Sequence, residues 1–167
     1  MPLQPEQASF LLSMLIPQVK REHATTLRVL QAVPADKPDY QPDPRSMKAL
    51  DLAWHLASID WFFVTGAANG EFPKMDGKRP EGVTNTTQVA AWYLENFPKA
   101  LESAAGLSGD QLLKQIPFHT FNETALSYLQ LMQAHSIHHR GQLSTYIRPM
   151  GGKVPAIYGG SADDPGK

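Results

Sequence analysis

From Thr120 to Arg148 the chain runs without a proline, and Leu126, Leu129, Met132, Ser136, His139, Leu143 and Ile147 recur there at steps of three and four. A proline-free run with that period reads as one long amphipathic helix, whose apolar stripe must be covered by other elements. Its start is marked by Thr120-Phe121-Asn122-Glu123, a threonine followed three residues later by glutamate, the pattern of a capping box. Pro149 and Gly151-Gly152 mark its end. A helix is therefore expected from about residue 120 to about residue 150.

Three further segments have the same character. Residues 5 to 32 carry Leu12, Leu15, Val19, Thr26 and Leu30 on one face, with Pro17 either kinking the helix or marking its true start. Ser46 is a suitable N-cap for a helix to about Thr65, ended by Gly66 and Asn69-Gly70. That helix is apolar nearly all round, with one stripe through Leu50, Ala53, Trp54, Ala57, Trp61 and Val64 and another through Leu52, Ile59, Phe62 and Phe63, so it is expected to be buried. A third helix is expected from about Thr87 to Ala105, bent at Pro98 and stopped by Gly106. Between them, residues 33–45 hold Pro34, Pro38, Pro42 and Pro44 and read as extended loop, as do the Gly- and Pro-rich residues 71–84. Residues 107–119 divide into a short turn capped by Ser108 and an extended stretch from Gln115 to His119. The tail from Lys153 is expected to fold back before its end frays. No repeat or composition break divides the 167 residues, so one domain over 1–167 is expected, all-α and built as a four-helix bundle.

Composition narrows the chemistry. Fifteen basic residues against sixteen acidic ones give no electrostatic footprint for nucleic acid or an anionic membrane surface. The apolar run Phe10–Ile16 is too short to span a bilayer, which takes about 20 residues, and no basic region precedes it. A cytoplasmic protein is the resulting expectation. With no cysteine in the sequence, thiolate ligands, disulfides and a cysteine nucleophile are excluded, and any metal must be held by nitrogen and oxygen.

Six histidines remain, three of them in His135-Ser136-Ile137-His138-His139. Residues four apart share a helix face, so His135 and His139 can reach one ion. His55 lies in an apolar stripe midway along the second helix, an expensive place for an imidazole without a partner. Three imidazoles from two facing helices, with a fourth position open to water, make a reactive metal site. Each alone also reads as a core or surface histidine; the combination carries the assignment. His138 points about 100° away from its neighbour His139, and His23 and His119 are expected at the surface or in loops. Asp60, His138 and Tyr146 are general-base candidates only by nearness in sequence. Arg140 and Gln142 are expected to orient neighbouring groups or to stabilise the bundle. A zincin is excluded because Ser136, not glutamate, follows the first histidine, and a ferritin-like di-iron site because the last helix has no carboxylate after Glu123.

Together, Trp54-His55-Leu56-Ala57, His135-x-x-x-His139-Arg140-Gly141-Gln142-Leu143, Gly151-Gly152-Lys153-Val154-Pro155 and Ile157-Tyr158-Gly159 resemble the DinB-like superfamily. The likeness spans nearly the whole chain, and Pro42-x-Pro44-Arg45-Ser46 is similar too. That superfamily includes YfiT-type metal-dependent hydrolases and bacillithiol- and mycothiol-dependent enzymes. The resemblance implies an up-down-down-up four-helix bundle, often a homodimer, binding zinc, nickel or another divalent transition metal through His55, His135 and His139. It further implies a small-molecule substrate, with a low-molecular-weight thiol as partner in a transferase, or water in a hydrolase. The alternative is a non-catalytic metal- or ligand-binding stress-response module.

Overall fold

A computed structural model describes residues 2–75 and 77–166 of the chain. It is mostly helical: α1 (Pro5–Ala32), α2 (Ala49–Asn69), α3 (Thr86–Ala105), the short α4 (Gly109–Leu113) and α5 (Ala125–Ile147), with a hairpin of β1 (Gln115–Phe118) and β2 (Phe121–Thr124) between α4 and α5.

α1 is continuous through Pro17. The helix starts with Pro5, where a missing N–H costs nothing, and the Gln4 N–H donates to Gln7 Oε1 at 2.9 Å. Pro17 is tolerated because it and Ser13, whose carbonyl loses its helical donor, both lie on the exposed face, where water can bond that carbonyl.

α2 begins two residues later than an N-cap at Ser46 suggests. The Ala49 N–H donates to the Tyr40 carbonyl at 2.8 Å and the Leu50 N–H to the Pro38 carbonyl at 3.0 Å, so carbonyls of the proline-rich loop cap the helix in place of a serine hydroxyl. At its other end α2 runs on through Gly66 to Asn69, and Gly70 supplies the left-handed stop at φ 72°. Gly66 is helical because a tertiary contact outweighs its propensity: the Phe72 ring occupies the space a Cβ would take.

The expected capping box at Thr120 does not form, and α5 starts five residues later. Residues 121–124 instead pair with β1 in antiparallel register, Phe118 opposite Phe121 and Gln115 opposite Thr124, which satisfies their backbone groups in a ladder. Thr124 caps α5, its hydroxyl accepting from the Ser127 N–H at 3.1 Å. His119 turns the hairpin at φ 52°. α3 is within a residue of expectation, with the Asn85 side chain accepting from the Gln88 N–H at 3.0 Å and Pro98 inside the helix.

One apolar cluster runs through all four long helices, from Leu12 and Leu30 of α1 to Leu52, Leu56 and Val64 of α2, Val89 and Phe97 of α3, and Leu129 and Leu143 of α5. α2 packs on α3 and α5, and α1 packs on the same two helices from the other side. α2 and α5, which carry the histidines, are thus direct neighbours. No described helix is long and apolar enough to cross a membrane.

The tail folds back as expected. Asp163 accepts from the Val154 N–H at 3.0 Å and Asp164 from the Ala156 N–H at 2.9 Å, while Arg28 of α1 donates to the Ala156 carbonyl at 3.2 Å.

Candidate metal centre

Packing of α2 on α5 brings His55, His135 and His139 together at mid-height. Their ring centroids stand 5.0 Å (His55–His135), 4.6 Å (His55–His139) and 4.4 Å (His135–His139) apart. One ligand atom from each lies within 4.8 Å of the others, and the Nε2 atoms of His55 and His135 face each other at 3.0 Å. All three rings are half-buried.

Two of the rings are oriented from behind. The His135 Nδ1–H donates to Asp60 Oδ1 at 3.3 Å, and the His139 Nδ1–H donates to Gln142 Oε1 at 2.9 Å, tautomers assigned from these partners. With Nδ1 protonated on each, the Nε2 lone pair is left for the centre of the cluster. This arrangement, in which a histidine's far nitrogen is fixed by a carboxylate or amide oxygen, is how metal-ligating imidazoles are held.

Asp60 is fully buried and also accepts from the Tyr93 hydroxyl at 2.8 Å. Burial pushes its carboxyl up from the usual range, against the opposing pull of bonds from His135, Ser136 and Tyr93. It therefore acts as the support of His135, not as a free base. Tyr93, read in the sequence only as an apolar position of α3, completes this support. Its phenol is raised well above the ordinary value by burial and by the Asp60 charge, so it remains a donor. The one sequence signal pointing to it was Asp60 itself, a carboxylate in a buried helix that needed a donor.

The His55 imidazole is pushed down to about 4, first by burial and then by the charges of His135 and His139, and burial lowers His139 as well. Both are neutral at physiological pH, the state a metal ligand requires.

Of the other expected contributors, His138 is exposed, with its ring 4.7 Å from that of His139. Tyr146 is buried and spends its hydroxyl on the Met47 carbonyl at 3.2 Å, away from the triad. Arg140 is only 1% exposed and pairs with Glu22 of α1 at 2.6 Å, while also donating to the Tyr158 hydroxyl at 2.5 Å; it ties α5 to α1 and the tail. His119 sits at the exposed hairpin tip, as expected. His23 departs from expectation: its ring stacks on Phe97 (centroids 5.0 Å, planes at 13°) and its Nε2 is buried without a partner among the described residues.

The donor set suits a divalent transition-metal ion. Two ring nitrogens bound to one zinc at about 2.0–2.1 Å each, at the tetrahedral angle, stand roughly 3.3 Å apart, close to the 3.0 Å between His55 and His135. Neutral imidazoles suit zinc, nickel, copper and iron alike. Among the described residues no fourth histidine or carboxylate joins the group. A cavity of about 410 Å³ opens beside His55.

The model of the DinB family matches residues 10–166. An uncharacterised protein of Bacillus subtilis strain 168, YjoA, is 29% identical over 129 residues, which cover 75% of this chain and 82% of that protein. The crystal structure of YjoA, described as a DinB-like protein, superposes with a TM-score of 0.69 at 25% identity, covering 83% of this chain and 92% of the other. A DinB-like protein from Bacillus cereus ATCC 10987 shares the fold with the same TM-score of 0.69 at 21% identity, over 86% of this chain and 95% of its own.

Proposed function

The chain belongs to the DinB family, and from that premise we propose that it is a metal-dependent enzyme holding one divalent transition-metal ion, zinc or nickel, on His55, His135 and His139. The observation that carries this reading is the convergence of three histidine side chains from two helices, two of them with Nδ1 already committed to Asp60 and Gln142.

When bound, such an ion supplies Lewis-acid chemistry, lowering the pKa of a thiol or water so that it reacts as a nucleophile near neutral pH. The chain's own part is positional. His135 is fixed by the Asp60–Tyr93 pair, His139 by Gln142, and His55 by its place on the buried face of α2. The low basicity of His55 and His139 keeps both imidazoles neutral, the protonation state a metal ligand requires.

The open cavity beside His55 supports a reactive rather than a sealed site, since a structural ion is closed by four protein ligands. A small-molecule substrate fits that opening, and the reading takes a low-molecular-weight thiol as the partner in a transferase reaction, with hydrolysis second. One domain over 1–167, an up-down-down-up bundle, a homodimer and a cytoplasmic location complete the proposal; the single shared core and the packing of α1 and α2 on both α3 and α5 support the first two.

The test is elemental analysis of tag-free protein beside His139→Ala. The wild type is expected to hold about one ion per chain, and the variant to lose it while keeping its helical circular dichroism and a cooperative melt. Full occupancy in His139→Ala, or a wild type that refuses added zinc and nickel, would overturn the assignment.

A further inference from the structure

α5 presents two different faces along the same stretch. His135 and His139 meet His55 of α2, and each is followed at once by a polar residue, Ser136 or Arg140, which stands about 100° further round the helix. Ser136 and Arg140, four apart, share a face. They meet a second polar pair four apart, Thr26 and Glu22 of α1. Thr26, Ser136 and Arg140 are all buried, so a polar seam runs between two helices whose other facing residues are apolar.

The bonds of this seam have a direction. The Arg140 Nη1–H donates to Thr26 Oγ1 at 3.3 Å, and a guanidinium has no acceptor to offer in return. The Thr26 and Ser136 hydroxyls lie 3.3 Å apart, and Ser136 in turn bonds to Asp60, whose carboxylate can only accept. With a donor-only group at one end and an acceptor at the other, both hydroxyl protons run from Arg140 toward Asp60. A chain fed by a cation polarises each member in turn, so the Ser136 hydroxyl is a stronger donor to Asp60 than an isolated serine would be. Asp60 is the residue that accepts from the His135 Nδ1–H. The outer end of the chain is anchored as well, since Arg140 is held by Glu22 at 2.6 Å and by the Tyr158 hydroxyl at 2.5 Å.

We propose that Thr26 is a positioning residue for the candidate metal centre: its hydroxyl passes the bond from Arg140 through Ser136 to Asp60, which holds the Asp60 carboxylate on His135 and keeps α5 at the rotation that brings His135 and His139 onto His55. That His135 and His139 bind an ion rests on the metal-site reading above; the orientation of the His135 ring does not. Polar groups buried between helices fix register and rotation even where apolar ones would pack as stably. The seam therefore serves the geometry of the site more than the stability of the fold.

Two substitutions at Thr26 separate its hydroxyl from its methyl. Thr26→Val keeps the shape and removes the hydroxyl; Thr26→Ser keeps the hydroxyl and removes the methyl. In the metal-free full chain, long-range proton–nitrogen NMR of the histidine rings is expected to show His135 protonated at Nδ1 in the wild type and in Thr26→Ser, and a mixture of both tautomers in Thr26→Val. Zinc affinity, measured by competition with a chelator, is expected to fall about tenfold in Thr26→Val, the loss seen when the group behind a ligating histidine is disturbed, and to stay within about twofold of wild type in Thr26→Ser. Ser136→Ala cuts the same chain one bond nearer Asp60; it is expected to match Thr26→Val and answers the question if the valine variant does not fold. Either wild-type readout retained in both cut variants would overturn the proposal. So would Thr26→Ser as impaired as Thr26→Val, which would reduce the seam to packing. A tautomer shift in Thr26→Val of a chain that refuses zinc would leave the positioning of His135 standing and remove the metal reading.

Discussion

At the scale of single residues, the two histidines outside the triad that sequence patterning assigned to surface or loop have opposite fates. His119 turns the hairpin in a left-handed conformation, which histidine adopts more readily than most side chains but which still strains the backbone. His23 lies between α1 and α3, against Tyr93 and Phe97, with Nε2 buried and unbonded. Lys20 and Glu102 share the wall of the small cavity beside it. Burial lowers its basicity below the ordinary value of 6.5. The sign follows directly: the native state holds His23 neutral, while the unfolded chain takes up a proton as pH falls through 6.5. The stability His23 permits is therefore complete above that value and declines below it. His23→Phe keeps the stacked ring and removes the unpaired nitrogen. It is expected to raise stability by about 1 kcal/mol at neutral pH and to reduce the loss of stability between about pH 6.5 and 5. Urea denaturation at several pH values measures both. A variant less stable than wild type at every pH would mean that Nε2 finds a partner in solution.

At the scale of elements, the sequence was most legible where periodicity was long and uninterrupted. α1, α2, α3 and α5 lie where their apolar stripes place them, and His55, His135 and His139 converge because those stripes also fix which faces meet. Legibility failed where a tertiary contact outweighed a local signal. Thr120–Glu123 has the residues of a capping box, but pairing with Gln115–Phe118 offers the same backbone groups a ladder, so a strand forms. Ser46 lost its capping role to the carbonyls of Pro38 and Tyr40, which no local rule could bring near Ala49. Gly66 reads as a stop, yet the helix continues because Phe72 fills the vacant Cβ position. This last case predicts a cost. Gly66→Ala gains in helix propensity by about 1 kcal/mol, but its methyl would drive into the Phe72 ring, held by Phe62, Phe118 and Tyr128 on its other sides. The collision should prevail and leave a net loss of about 1–2 kcal/mol, read as a lowered thermal midpoint. A gain in midpoint would show that Phe72 swings away freely.

At the scale of the whole molecule, the tail is an acid-labile clasp. Asp163 accepts from the Val154 N–H and from Arg148 Nε at 2.8 Å, and Asp164 accepts from the N–H groups of Ala156 and Gly166, the latter at 3.0 Å. These bonds, foremost those from backbone N–H groups, hold both carboxyls below the ordinary 3.8. A carboxyl depressed in the native state contributes stability that is fully present above the unfolded value and is lost as pH falls through the native one. The clasp should therefore hold down to about pH 4 and open below it. Its opening would free Tyr158, whose hydroxyl donates to Glu22 at 2.9 Å and accepts from the buried Arg140, so the link from tail to α1 and α5 should weaken in the same range. The Val154 and Ala156 amide resonances, followed from pH 6 to pH 2.5, are expected to move with midpoints below 3.8, and Asp164→Ala should abolish hydrogen-exchange protection at Ala156 already at neutral pH. Protection that survives in Asp164→Ala would mean that packing of the tail against α1, and not its carboxylates, holds it in place.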